Sequence, residues 1–194
     1  MVEIKLPQME IIYKEVFVMK YLYVMMHEWL MEYGYRDESG DLSHKYIEEL
    51  YLERRLPTKA GGIDKELRIW WRSLKTPHNS SYYRWRINIY MNVINMSDAE
   101  IVHNGEKIRA QKGEISIKIN SSVELDYNKK WEKHPILKNF HTFFMNNIFK
   151  KELEEQKKSI YRDVYRFHGA IKNFLEQKYF VPEEKLLHEK FEEV

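Results

Sequence analysis

Residues 69 to 93, IWWRSLKTPHNSSYYRWRINIYMNV, gather three tryptophans, three tyrosines and three arginines within 25 positions. Guanidinium groups grip phosphate through paired N–H donors and aromatic rings stack on bases, so these residue types together are the chemistry of an anion or nucleic-acid platform. Strand alternation separates them. In residues 82 to 96 the odd positions Tyr83, Trp85, Ile87, Ile89, Met91 and Val93 are largely apolar, and the even positions Tyr82, Arg84, Arg86, Asn88, Tyr90 and Asn92 are largely polar. Residues 67 to 72 divide likewise into Leu67, Ile69 and Trp71 against Arg68, Trp70 and Arg72. Paired as a hairpin through SLKTPHNSS, the two strands put Arg68, Trp70, Arg72, Tyr82, Arg84 and Arg86 on one face and Trp71, Trp85, Ile87 and Ile89 on the other.

Each face has two readings. The arginine face is either a platform for RNA or another anion, or a solvated sheet surface whose arginines pair with Glu66, Glu53, Glu114 or Glu124 and lie along aromatic rings. The apolar face is either plain core or the wall of a ligand cavity.

Other chemistry is thinly represented. Of eight histidines none stands in a His-Glu-x-x-His pattern. His134 and His141 can share a helix face but lack carboxylate company at ligand spacing. His78, in a turn, has no identifiable nucleophile or orienting acid beside it. There is no glycine-rich phosphate loop, no Gly-x-Ser-x-Gly elbow and no cysteine. Nucleotide hydrolysis, serine-hydrolase chemistry, thiolate catalysis and cysteine-bound zinc are therefore poor fits, no catalytic or metal residue is assigned, and no cofactor is implied.

The 194-residue chain is 43% hydrophobic and 32% charged, enough apolar material for one folded domain. Its net charge of +2 creates no global field toward nucleic acid or anionic lipid, so any such attraction has to be a local patch. The apolar window Val16 to Met26 has Lys20 in its middle and is far shorter than the roughly 20 residues that span a bilayer. The amino-terminal sequence does not read as a secretory signal, and a cytoplasmic location is expected.

The order of elements follows from periodicity and punctuation. VEIKL alternates as a short strand before Pro7, and apolar positions from Met9 to Tyr33 recur every three or four residues as a helix stopped at Gly34. Residues 46 to 56 read as a strand, with a helix as the alternative. Residues 66 to 74, 82 to 96, 98 to 103 and 113 to 127 are strands, and Asn104-Gly105 signals a hairpin turn. Beyond NKKWEKHP the period becomes 3.6, with Pro135 opening a helix that carries Phe140, Phe144, Ile148, Leu153, Ile160, Val164, Phe167, Ile171 and Phe174. The expected fold is α+β: an antiparallel meander of about five or six strands packed on an N-terminal helix and a long C-terminal helix, in one domain over residues 1–180 with a short helical tail over 181–194.

This order, VEIKLP, then the strand run from 48 to 127, then HPILKNFHTFFMNNIFKKEL, resembles the helix-grip fold of the START and Bet v1-like superfamily. The phrases IWWRSLKTPH, YYRWRINIYMNV and ELDYNKKWEKHPILKNFH also resemble an uncharacterised archaeal protein family. The helix-grip resemblance implies a non-enzymatic binding protein with an apolar cavity between the sheet and the C-terminal helix for a lipid or other hydrophobic small molecule. Trp71, Trp85, Ile87, Ile89, Ile117 and Ile119 from the sheet, with Phe144, Ile148 and Phe167 from the helix, would line it. Two alternatives stand beside it: an RNA or ribonucleoprotein module using the arginine face, and a homodimer or protein-docking module using the long C-terminal helix.

Overall fold

A computed structural model describes residues 2–37, 47–57, 62–103, 106–135, 137 and 149–176. Among these residues one antiparallel sheet of seven strands carries the fold. Its strands are β1 (Val2–Lys5), β2 (Met9–Tyr13), β3 (Val16–Phe17), β4 (Glu48–Pro57), β5 (Ile63–Lys75), β6 (Tyr83–His103) and β7 (Glu106–Leu125). The helices are α1 (Met19–Glu32), the single turn α2 (Lys130–Lys133) and the long α3 (Lys150–Glu176). The class is α+β.

The strand order is β1-β7-β6-β5-β4, and β2 and β3 also pair with β7. Three of the seven strands are therefore one edge strand in pieces. Val2 faces Leu125, Met9 faces Ile119 and Phe17 faces Gln111, all along the same side of β7. The first break falls at Pro7, which has no N–H to give to a ladder, and there the register slips by one residue. In effect the sheet has five strand positions: an antiparallel meander of β4, β5, β6 and β7, with the N-terminal segment added at the β7 edge.

This arrangement corrects the sequence reading of residues 9–18, expected as the first turns of a helix. Met9, Ile11 and Tyr13 turn toward the core while Ile12 is 56% exposed, which is strand alternation. Ile12 gives the segment an accidental helical spacing with Val16 and Met19, and pairing with β7 overrides it. The helix starts at Met19 and ends as expected at Gly34, whose φ of 78° allows Gly34 N to donate to Met31 O and Tyr35 N to donate to Leu30 O. Residues 48–57 form a strand. Residues 83–103 form one strand in place of the two expected.

That long strand is bent rather than cut. Between Ile94 and Ser97 the pairing with β7 shifts, so Asn95 and Met96 together oppose Gly113, and Asn95 takes φ 52°. A Cβ on Gly113 would lie 3.0 Å from Ile94 O and from Met96 Cα, so the bulge needs the missing side chain.

Both helices cover the same sheet face. Its floor is Leu67, Ile69, Trp71, Trp85, Ile87, Ile89, Met91, Val93, Ile115, Ile117 and Ile119, all buried in one cluster with Leu22, Met26 and Leu30 of α1 and Ile160, Val164, Phe167, Ile171 and Leu175 of α3. Burying a side chain of this size stabilises the fold by about 1.5–3 kcal/mol. α3 is also pinned by polar contacts. Tyr83 OH donates to Glu152 Oε1 at 3.1 Å, Trp85 Nε1 to Gln156 Oε1 at 3.1 Å, and Tyr35 OH and Lys75 Nζ both reach Asp163 Oδ2, at 3.1 and 3.0 Å. Phe140, Phe144, Ile148 and the 181–194 tail lie outside the described residues, as does the junction on which continuity of a helix from Pro135 depends.

Candidate functional site

The opening stretch of the sequence resolves into the two faces expected, and each side chain has a definite occupation. Trp71, Trp85, Ile87, Ile89, Ile117, Ile119 and Phe167 are fully or almost fully buried. Trp71 packs edge-on to Tyr23 with centroids 4.8 Å apart and donates to Glu48 Oε2 at 3.4 Å, while Phe167 lies 4.8 Å from the Trp29 ring. The structure thus brings seven of the nine cavity candidates together as packed core; Phe144 and Ile148 lie outside the described residues.

On the opposite face the arginines are largely engaged with acids. Arg84 and Arg86 flank Glu124, with Arg84 NH2 2.7 Å from one carboxylate oxygen and Arg86 Nε 2.5 Å from the other. Arg84 also lies over the Tyr127 ring at 4.9 Å, and Arg72 pairs with Glu49 at 2.9 Å. Tyr82 leaves the face to pack against Trp131 and Phe149. What stays open is Arg68 and Trp70, the latter 42% exposed and edge-on to Tyr90. His78 and His134 take structural places, and His141 lies outside the described residues. His78 sits in a single 3-10 turn with φ 52°, and the His134 Nδ1 accepts from Leu137 N at 3.3 Å. No group of three or more metal-ligating side chains forms among the described residues.

The space for a ligand lies elsewhere, at the end of the covered face where α1 begins. A cleft of about 380 Å³ opens between the first two turns of α1 and the floor of the sheet. Sheet alternation supplies the floor: Tyr51 and Glu53 of β4 stand beside Ile69 and Leu67 of β5, and on either side of the β6 bulge Lys65 faces Met96 and Leu67 faces Val93. The bulge matters because it turns Met96 onto the covered side, where it is buried. Met19, Lys20, Tyr23 and Val24 form the helical wall, and Gln111 closes the end by accepting from Met19 N at 2.9 Å.

The cleft has an apolar bottom and a charged rim. Val24, Leu67, Met19 and Met96 give it aliphatic and thioether surface, the adaptable kind that accepts more than one shape. Lys65 reaches Asp98 at 3.4 Å, Glu53 is taken by Arg55 at 2.8 Å, and Lys20 has no ion-pair partner among the described residues. Tyr23 OH donates to Glu48 Oε2 at 2.7 Å, and burial first, then that carboxylate, push its pKa well up. Burial, then Glu53 and Glu48, also raises Tyr51. Both phenols are held toward the protonated form, and Tyr23 is the one that donates a hydrogen bond, to Glu48. They are not bases.

Sequence reasoning missed this cleft because it is assembled from five separate segments, four residues of α1 and one or two from each of four strands. It also missed the polar contacts under α3, although Gln156 and Asp163 interrupt the apolar spacing of Leu153, Ile160, Val164 and Phe167, and that interruption was the available signal. No protein-family model, curated protein or solved structure matches the chain.

Proposed function

We propose that the protein is a non-enzymatic binding protein for a small amphipathic molecule, an apolar body with an anionic head, held between α1 and the sheet. The observation that carries this reading is the 380 Å³ cleft with its apolar floor and its lysines at the rim. The volume falls within the roughly 300–1,000 Å³ of small-molecule sites, and a few polar groups around an apolar interior are their usual composition. A carboxylate or phosphate head would meet Lys20 and Lys65 while the body lies on Leu67, Met96 and Val24. The helix-grip resemblance placed an apolar site under the C-terminal helix; the geometry favours the N-terminal helix, because α3 is sealed to the sheet by buried side chains and by the Glu152, Gln156 and Asp163 contacts.

An RNA platform on the outer sheet face is supported by Arg68 and Trp70 alone, since Arg72, Arg84 and Arg86 are held by Glu49 and Glu124. Self-association through an apolar stripe on α3 has little to draw on, because Ile160, Val164, Phe167, Ile171 and Leu175 are spent on the sheet.

Calorimetric titration with decanoate, and with decanol as the uncharged counterpart, tests the proposal. Saturable binding of decanoate is expected, weaker for decanol, reduced by Lys20→Ala with Lys65→Ala and abolished by Val24→Trp, which fills the cleft. Absence of saturable binding of either molecule, or equal binding by the Val24→Trp protein, would overturn it.

A further inference from the structure

The solvent face of α3 has a composition unlike the rest of the surface. Lys158, Tyr161, Arg162, Tyr165 and Arg166 recur at spacings of three and four, Lys172 follows Tyr165 by two turns, and all are exposed, so they lie on one face about 21 Å long at 1.5 Å per residue. Between residues 156 and 175 the single acid is Asp163, and it is turned inward to Tyr35 and Lys75. Arg162 and Arg166 make no hydrogen bond or ion pair with any described residue, in contrast to Arg84 and Arg86 on the sheet. Tyr161 and Tyr165 between them are 42% and 64% exposed. Exposed tyrosine rings beside guanidinium groups that hold no internal carboxylate offer stacking surface and phosphate-binding donors side by side.

We propose that this face of α3 docks single-stranded RNA. Arg162 and Arg166, about 6 Å apart along the helix, take successive phosphates, flanked by Lys158, which lies near Glu154, and by Lys172, which pairs with Glu176 at 3.7 Å. Tyr161 and Tyr165 offer ring faces to unpaired bases, and their hydroxyl groups supply partners for the ribose 2′-hydroxyl, which is what distinguishes RNA. The geometry disfavours a lipid surface as occupant. A helix that lies on a bilayer inserts an apolar face, and here that face is already buried on the sheet. The inference is independent of the cleft, which lies at α1.

Fluorescence anisotropy with a labelled oligouridylate of about 12 nucleotides tests it. At low salt the wild-type protein is expected to bind with log affinity falling as log salt rises, by about 0.7 for each phosphate contacted. Arg162→Ala with Arg166→Ala should weaken binding at least about tenfold and flatten the salt slope by roughly 1.4, the share of two phosphates. Tyr161→Ala with Tyr165→Ala should weaken binding and leave the slope alone. Lys107→Ala, an exposed cation on β6–β7 paired with Glu100, should change nothing. All these side chains are exposed, so unchanged circular dichroism is expected throughout. No binding at low salt, equal binding by the arginine variant, or stronger attachment to phosphatidylserine vesicles or to polyglutamate than to RNA would overturn the proposal.

Discussion

Glu124, 1% exposed, is held by Arg84 through two nitrogens on one carboxylate oxygen, Nε at 2.8 Å and NH2 at 2.7 Å, while its other oxygen faces Arg86. A carboxylate taken this far out of water is tolerable only with its charge matched, and two guanidinium groups two positions apart on the same face of β6 supply the match. Glu124→Gln leaves both arginines, themselves 15% and 20% exposed, without a counter-charge. The expected loss is about 3–5 kcal/mol in urea unfolding. A loss below about 1 kcal/mol would show that water reaches this cluster. Replacing all three residues by apolar ones of similar size is expected to recover most of the stability.

Two glycines respond in opposite directions to the same added methyl group. At Gly169, inside α3, a Cβ meets nothing within 4 Å, so Gly169→Ala should stabilise by about 0.5–1 kcal/mol, raising Tm by roughly 1–4 °C. At Gly113 the Cβ would press on the β6 bulge, and Gly113→Ala should destabilise by about 1–3 kcal/mol. Thermal unfolding of the two variants side by side checks both.

The buried phenols set an alkaline limit. Burial first, then Asp126, raises the Tyr82 pKa from 10.0 to about 12, and burial with Asp163 raises Tyr35 further still. These groups are protonated in both states below pH 10, ionise in the unfolded chain above it, and resist ionising in the native protein. Their contribution to stability is therefore complete below pH 10 and lost as pH rises from 10 through about 12. Urea unfolding at intervals across that window should show a falling midpoint. Tyr82→Phe together with Tyr35→Phe should flatten the fall. A flat wild-type profile would contradict the assignment.

Asp163 ties α3 to two separate segments, through Tyr35 after α1 and Lys75 at the end of β5. Asp163→Ala strands a half-buried ammonium group, which also lies 5.1 Å from the Trp85 ring, at an expected cost of about 3 kcal/mol. The loss should be local. Hydrogen exchange is expected to speed up in α3 while the central amides of β6 and β7 keep their protection.

The parts of the fold that were legible in the sequence are those where one residue's environment repeats two positions on. Ile115, Ile117, Ile119, Val123 and Leu125 alternate because β7 lies mid-sheet with one wet face, and the structure buries all five. The Glu124 pairing was among the readings of the arginine face for the same reason, since Arg84 and Glu124 share a face wherever the strands pair. Residues 9–18 misled because one exposed isoleucine mimicked a helical repeat. The cleft was illegible in kind: its walls come from α1, β4, β5, the β6 bulge and Gln111, and no spacing within any one of them encodes the others. The face of α3 was hidden differently. Its lysines were visible, but only the inward turn of Asp163 leaves the arginines beside it unpaired.

The broken edge strand has a consequence for how the chain is made. Among the described residues the strands of residues 2–17 pair with residues 111–125 of β7, so on a ribosome this segment must wait for its sheet partner until β7 has emerged. An extended, partly apolar segment with Ile11 and Phe17 uncovered is an invitation to pair with neighbouring nascent chains. Its division at Pro7 and at Lys14–Glu15 means that no uninterrupted ladder longer than the five residues of β2 is ever on offer. The interruption that slightly weakens the finished sheet protects the unfinished one.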